Sequence, residues 1–242
     1  MQQASHHGER GQAAVETAIV LPLLVFMLLG VLQMSIAYQT RLLSEYAAYK
    51  VARSASVYRL DCDHMIGAGL MALVPSVSLG QLFPDTKAGM RQRFVATART
   101  LIGDNRPPNR GVNIPLIRVH YWVSGYTGLP FDQQLEQDEE PMKVHVRLAY
   151  FFEYRIPFAN WIISRVWLAS QTGQAWATGA DPITPVRRTA GRVTRATEAS
   201  LDVDIVRQAL QSNYFTVPLV STWSMRMMSD PIDGNTSGIC PP

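Results

Sequence analysis

The sequence predicts an α+β fold, in which one long N-terminal helix packs on a small antiparallel-sheet domain. The first observation is that no charged residue occurs between positions 17 and 40. The second is that the chain from Gln33 to Tyr58 contains neither Gly nor Pro and is rich in Ala, which favours helix. The third is that apolar and polar residues alternate along later segments. Helices and strands in separate blocks are typical of the α+β class.

The composition is that of a folded protein with ordinary surface charge. The chain has 242 residues, of which 47% are hydrophobic and 17% charged, and its net charge is only +3. The basic residues are scattered, so we expect no nucleic-acid partner. The sequence contains no G-x-S-x-G, H-E-x-x-H or phosphate-binding glycine motif. It therefore predicts a protein that is not an enzyme, with no cofactor and no small-molecule substrate.

The charge-free segment is long enough to cross a bilayer as a helix, for which roughly 20 residues suffice. We place the transmembrane segment at about residues 17–38. Beyond it the pattern is amphipathic, and the helix should reach roughly 65 Å over about 45 residues. One side is expected to carry Leu42, Leu43, Tyr46, Ala47 and Val51, and the other Arg41, Ser44, Lys50 and Arg53.

The margin of this apolar segment contains a carboxylate, Glu16, which is costly beside lipid unless a cation balances it. Removal of the residues up to Gly11 would make Gln12 the new N-terminus. Its α-amino group would then lie one helical turn from Glu16. The helix dipole also favours a negative charge in the first turn.

The string from Arg10 through Glu16 to Leu24 resembles the class III prepilin signal and, more narrowly, the TadE-like family of the Tad (Flp) tight-adherence pilus system. Members of that family are minor pseudopilins. The resemblance implies cleavage after Gly11 by a prepilin peptidase, and a role for Glu16 in processing and subunit packing. Many prepilins of this system have Tyr or Phe after the glutamate, where this chain has Thr17.

The resemblance also implies partners and a location. These are the inner membrane, the prepilin peptidase, other pilins or pseudopilins and the pilus assembly platform. We accordingly divide the chain into a leader (1–11), a long helix (12–58) and an extracytoplasmic, periplasmic α+β domain (59–242). The N-terminus is expected inside, with the protein in the inner membrane or incorporated in a pilus.

Three alternatives remain open from the residues alone. The apolar segment could be a signal peptide cleaved near Ser35–Ala37, although the helical pattern continues past that point. It could be a plain single-pass anchor with Glu16 in the headgroup region, carrying an extracytoplasmic binding or sensory domain unrelated to pili. A positive-inside count also favours the reverse orientation, because four basic residues follow the segment and only Arg10 directly precedes it. We adopt the N-in orientation because the leader is too short to hold a separate export signal.

The two cysteines, Cys62 and Cys240, lie at opposite ends of the predicted domain. In an oxidising compartment they would form a disulfide, and otherwise they are two buried thiols. The run Asp61-Cys62-Asp63-His64 has metal-ligand residue types. Four adjacent side chains cannot converge on one ion, so we predict no metal site.

The domain itself is predicted to contain helices and three strands. A helix is expected at 86–102, and 201–210 fits a helix or a strand. Residues 158–168 fit a short buried helix or an apolar patch that contacts a partner. Strands are expected at 116–124, 143–156 and 214–228, with 132–140 closing a hairpin and 172–197 forming a loop. Both His120 and His145 are expected to face solvent.

Overall fold

The computed structural model describes residues 9–77, 90–107, 111–128, 133, 141–156, 158–172 and 195–240. Over these residues the chain forms five long helices and four strands, with short 3₁₀ helices at Val74–Ser76 and Ile232–Gly234. In chain order the elements are α1 (Glu9–Val57), α2 (Cys62–Leu73), α3 (Met90–Asp104), β1 (Ile117–Ser124), β2 (Lys143–Glu153), α4 (Ala159–Thr172), α5 (Arg195–Gln211), β3 (Thr216–Arg226) and β4 (Ser237–Cys240).

The four strands form one antiparallel sheet in the order β3-β2-β1-β4. Strand β2 pairs with β1 from Lys143↔Ser124 to Tyr150↔Ile117, and with β3 from Lys143↔Arg226 to Glu153↔Thr216. The three predicted strands are thus confirmed, with slightly shorter bounds. Pairing of β1 with β2 agrees with the predicted hairpin, although most of its connecting segment lies outside the described residues. Strand β4 was not predicted, because four residues are too few to display an alternating pattern.

The helix predictions have mixed outcomes. The long helix is confirmed and is continuous from Glu9 to Val57. The segment 158–168 is helical from Ala159 onward, within α4, and 201–210 is helical within α5. The helix predicted at 86–102 is described from Met90 to Asp104, and its first four positions lie outside the described residues. Most of the predicted loop, 173–194, also lies outside them, whereas its last three positions already belong to α5. Helix α2 was not predicted.

The sheet is covered by helices on both faces, which makes three layers. One face packs against α1 and α2 and carries the apolar residues that were predicted from the alternation in β2, including Val146, Leu148 and Phe152. The opposite face of β2 is also buried, where Ala149 and Phe151 pack against Val206 of α5. Strand β2 is therefore a central strand with two packed faces, rather than one that faces water on one side.

Helices α1 and α2 are joined by a tight reversal. Arg59 and Leu60 both adopt left-handed backbone angles, with φ of 58° and 69°. Asp61 then caps α2, because its carboxylate accepts hydrogen bonds from the backbone N–H groups of Asp63 (2.8 Å) and His64 (3.2 Å). Within α2, a Cβ added at Gly69 would lie 2.9 Å from a methyl group of Val51. Glycine at this position thus lets α2 pack closely on α1.

A disulfide joins Cys62, the first residue of α2, to Cys240 at the end of β4. The two Cα atoms lie 5.2 Å apart, within the range that a disulfide requires. The bond connects positions separated by 178 residues of sequence. It ties the edge strand and the C-terminal part of the chain to the turn that follows α1.

A group of charged side chains is buried between the sheet and α5. Arg147 of β2 donates a hydrogen bond of 2.6 Å to Asp202 of α5, and the guanidinium of Arg118 lies 3.6 Å from the same carboxylate. His120 pairs with Arg147 across the strands and is 2% exposed, so its predicted solvent exposure is wrong. The alternation in β1 could not reveal that α5 covers this face. His145 is half-buried and stacks on Trp122.

The environment of His120 predicts acid sensitivity. Burial, and then the positive charges of Arg147 and Arg118, lower the pKa of His120 from 6.5 to about 4. The unfolded chain therefore binds this proton at a higher pH than the folded one. The free energy of unfolding is undiminished above pH 6.5 and falls between pH 6.5 and 4, with a loss of about 2 kcal/mol by pH 5.

Denaturant unfolding of the full chain in detergent at pH 7.5 and pH 5 measures this loss. His120→Gln should remove about 2 kcal/mol of the pH dependence. His145→Gln is the matched control on the neighbouring strand and should retain the wild-type difference. Equal pH dependence in the wild type and in His120→Gln would show that another group is responsible.

Oxidation of the cysteine pair is expected to stabilise the domain. Cys240→Ser should lower the free energy of unfolding by about 2–5 kcal/mol, because the bond restricts a very long loop in the unfolded chain. Peptide mass mapping without reductant should recover Cys62 linked to Cys240. The Cys62→Ser, Cys240→Ser double variant should be no less stable than either single variant, and additive losses would argue against a bond.

Candidate assembly site

The lower half of α1 presents an apolar surface on all sides. From Val15 to Leu32 the large hydrophobic side chains of the helix are exposed or only partly covered, and an 18-residue window of α1 reaches a mean hydropathy of 2.5. This area greatly exceeds the exposed apolar patch of an ordinary soluble monomer. By length and composition, α1 can cross a membrane, and the elements that the structure describes leave most of this half exposed.

Glu16 lies at the lower end of this surface, in the second turn of α1, and its side chain is exposed. The helix includes Gly11 and Gln12, whose side-chain surroundings lie outside the described part of the chain. Glu16 lies four positions after Gln12, which is about 6 Å along the helix axis. Among the residues whose side chains the structure describes, Glu16 forms no ion pair.

The upper half of α1 packs against the sheet and against α2 through a stripe of mostly small residues. Ala47, Ala48, Val51, Ala52 and Ala55 are all fully buried. Such short side chains let the helix backbone approach the sheet closely. We call this contact, from Gln33 to Ser56 of α1, the helix–sheet seam.

The predicted orientation of this half of α1 is partly wrong. Ser44 was placed on the polar side but is fully buried, whereas Leu42 and Tyr46 are 51% and 50% exposed. Large apolar residues suggested the buried face, but small residues occupy it. The run of alanines and serines was the available signal, because a closely packed helix favours small side chains.

Buried polar side chains tie the seam together at three heights. Near the bottom, the Gln33 side-chain oxygen accepts a hydrogen bond from the backbone N–H of Ile156 (3.1 Å). In the middle, the Ser44 and Ser221 hydroxyls are hydrogen-bonded at 2.6 Å. At the top, the Ser56 hydroxyl donates to the carbonyl of Arg226 (2.7 Å). Buried polar groups are costly unless they are paired, so these bonds fix the register of α1 on the sheet.

A line of large side chains remains uncovered on the outer side of α1. Met34, Tyr38, Leu42 and Tyr46 follow one another at four-residue intervals and are all exposed. Residues at this spacing share one helix face. We call them the outer stripe. It continues the apolar surface about 18 Å beyond Gln33, past the length that crossing a bilayer requires.

The metal-like run at the start of α2 has other structural roles. Asp61 is the helix cap, Cys62 is joined to Cys240, and His64 stacks on Tyr58 with ring centroids 4.2 Å apart. Among the described residues, no group of three or more His, Cys, Asp or Glu side chains could hold a metal ion.

Comparison with known proteins found a family match on the segment that contains these features. Residues 11–53 match the family model of TadE-like proteins. No curated protein and no solved structure matches the chain. The matched segment begins at Gly11, includes Gln12 and Glu16, crosses the apolar half of α1 and ends within the helix–sheet seam.

The sequence resemblance is therefore confirmed over the part of the chain that carries it. The matched residues form most of a long apolar helix that suits a membrane anchor. The family model does not cover the domain that follows this helix. Over residues 11–53 the chain is similar to TadE-like proteins, and the helix that this segment belongs to is long and apolar enough to cross a membrane.

Proposed function

We propose that this chain is a minor pseudopilin, an assembly subunit of a Tad-type pilus or of a related secretion apparatus, and that it performs no catalysis. The observation that carries the proposal is the division of one continuous helix, α1, into a bare apolar half and a half packed on the domain of the same chain. A subunit of this shape can be anchored in lipid and still offer its helix to neighbouring subunits.

The N-terminal processing in this proposal is a matter of charge balance. A prepilin peptidase cleaves after Gly11, and the new α-amino group of Gln12 becomes a cation that can balance Glu16. The pair then lies in the first turn and a half of the mature helix, about 6 Å apart along its axis. A neutralised pair enters lipid at lower cost than an isolated carboxylate.

The location follows from the same scheme. The N-terminus faces the cytoplasm, the apolar half of α1 crosses the inner membrane, and the domain from residue 59 onward lies in the periplasm. An oxidising compartment is also where a bond between Cys62 and Cys240 would persist.

The outer stripe supports a subunit more than a plain tether. An anchor needs only the apolar half of α1, and exposed side chains beyond it would be exchangeable for polar ones. Leu42 and Tyr46, which lie beyond the transmembrane segment, instead keep a large apolar face exposed outside the lipid. Helix-in-groove or helix-to-helix contact with another pilin would bury this face.

The mature N-terminus tests the processing step. Mass spectrometry of the protein from membranes that contain the peptidase should find Gln12 as the first residue. Glu16→Val and Glu16→Gln should impair processing or assembly while membrane insertion persists, because both remove the charge that the new amine would balance.

Glu9→Gln is the matched control, since it makes the same chemical change in the segment that is removed. It should process and assemble as the wild type does. Recovery of intact Met1 from assembling cells, or a domain that is protected on the cytoplasmic side, would overturn the proposal.

A change in the outer stripe tests the assembly contact. Leu42→Asn should reduce co-purification with pilins and the number of pili several-fold, because it places an amide in an apolar contact, which costs about 1–3 kcal/mol without a partner. It should leave the free energy of unfolding nearly unchanged, since Leu42 makes little contact within its own chain.

The control for this change is Gln39→Asn, an exposed position on the same helix outside the outer stripe. It should assemble normally. Equal assembly of Leu42→Asn and Gln39→Asn would indicate that the outer stripe contacts no partner.

A further inference from the structure

We propose that Phe158 and the first turns of α4 insert into the leaflet on the domain's side of the membrane, beside α1, so that the domain contacts the bilayer through an apolar edge of its own. The edge consists of Phe158, Trp161 and Ile162, followed by Arg165. The proposal requires only that the apolar half of α1 crosses a membrane, and it does not depend on processing or on assembly into a pilus.

The position of this edge is fixed by contact with the apolar half of α1. The rings of Phe158 and Phe26 meet edge to face, with centroids 5.6 Å apart. Phe26 belongs to the stretch that has no other described cover. Phe158 also adopts a φ of 65°, a backbone region that bulky residues rarely occupy. The chain thus turns at this position with its ring against the lipid-facing part of α1.

The depth of the contact follows from helix geometry. The bare part of α1 from Ala14 to Gln33 measures about 30 Å, the thickness of a bilayer's hydrocarbon core. Gln33 is the first fully buried polar residue and bonds to the backbone of Ile156. Phe26 lies about 10 Å below Gln33 along the axis. The space beside Phe158 is therefore at the depth of lipid rather than of water.

The exposed side of α4 has the pattern of an interfacial helix. Phe158, Trp161 and Ile162 are 65%, 52% and 51% exposed, and they share one face with Arg165. On its other side Ser164 is fully buried, and Ile163 and Trp167 pack against the domain core. Apolar side chains that lie 5–10 Å into the boundary between headgroups and acyl chains are typical of helices of this kind.

The charge at the upper end of the edge also fits lipid. The Arg165 guanidinium lies 5.8 Å from the ring centroid of Trp161 and is exposed. Helix α4 begins beside Phe26, and Trp167 further along it packs against the domain core, so Arg165 lies on the part of the edge nearer to the core than Trp161. An arginine above an aromatic ring at this height can reach lipid phosphates while its stem stays against the ring.

Lipid is favoured over a protein as the occupant because of this depth. Any partner at Phe158 would have to lie within the membrane beside Phe26, whereas lipid is already present there. The bilayer contact is also continuous with the lipid contact of α1. It would hold the domain at one height and limit its tilt about the anchor.

Depth-dependent fluorescence quenching tests the proposal. The full chain with Ile162→Cys is labelled with an environment-sensitive dye, with the native cysteine pair kept oxidised, and placed as one copy per lipid nanodisc without any peptidase. We expect a blue-shifted emission, strong quenching by lipids brominated in the upper acyl chain and little quenching by aqueous iodide. Wild-type protein should take up no dye.

The matched control is Ser212→Cys, an exposed position after α5. Its dye should be quenched by iodide and not by brominated lipid. If the dye at position 162 behaves like the one at 212, the edge faces water and the proposal is wrong. If position 162 is shielded only after pilins are added, a protein covers the edge, which also overturns the proposal.

Discussion

The helix–sheet seam is the contact on which the rest of this structure depends. Alanines at 47, 48, 52 and 55 bring the helix backbone close to the sheet, and dispersion contacts are strongest where surfaces meet without gaps. A stripe of small residues gives proximity but little register, since similar residues recur along it. The hydrogen bonds of Gln33, Ser44 and Ser56 supply the register, because sliding the helix would break each of these bonds to the rest of the domain.

A fixed register has consequences at both ends of α1. Below the seam it sets how far the apolar half projects, and hence the height of the domain above a membrane. Above the seam it places the Arg59–Leu60 reversal where α2 can return against α1 and where Cys62 meets Cys240. The positions of both ends of the domain are thus fixed relative to α1. This suits a protein whose position is set by its anchor.

A second constraint is that the central strand of this small domain must be buried on both sides. One face of β2 uses α1 and α2, and the other uses α5. The second face includes Arg118, Arg147 and Asp202, and buried charges of this kind are weak contributors to stability but costly to leave unpaired. Their arrangement holds α5 in one position over the sheet and leaves His120 in surroundings that oppose its protonation.

The sequence by itself determined the features that repeat along the chain or occur as a local string. The charge-free run predicted the anchor, the residues around Gly11 and Glu16 predicted the family, and alternation around Val144–Phe152 predicted the central strand. These signals are local, since helix and strand periods are visible within one segment. Only the tertiary structure decided that Ser44 is buried and Leu42 exposed, that His120 is buried beside Arg147, and that Phe158 contacts Phe26. Each of these depends on which element covers which face, and that choice is made by packing between residues far apart in the chain.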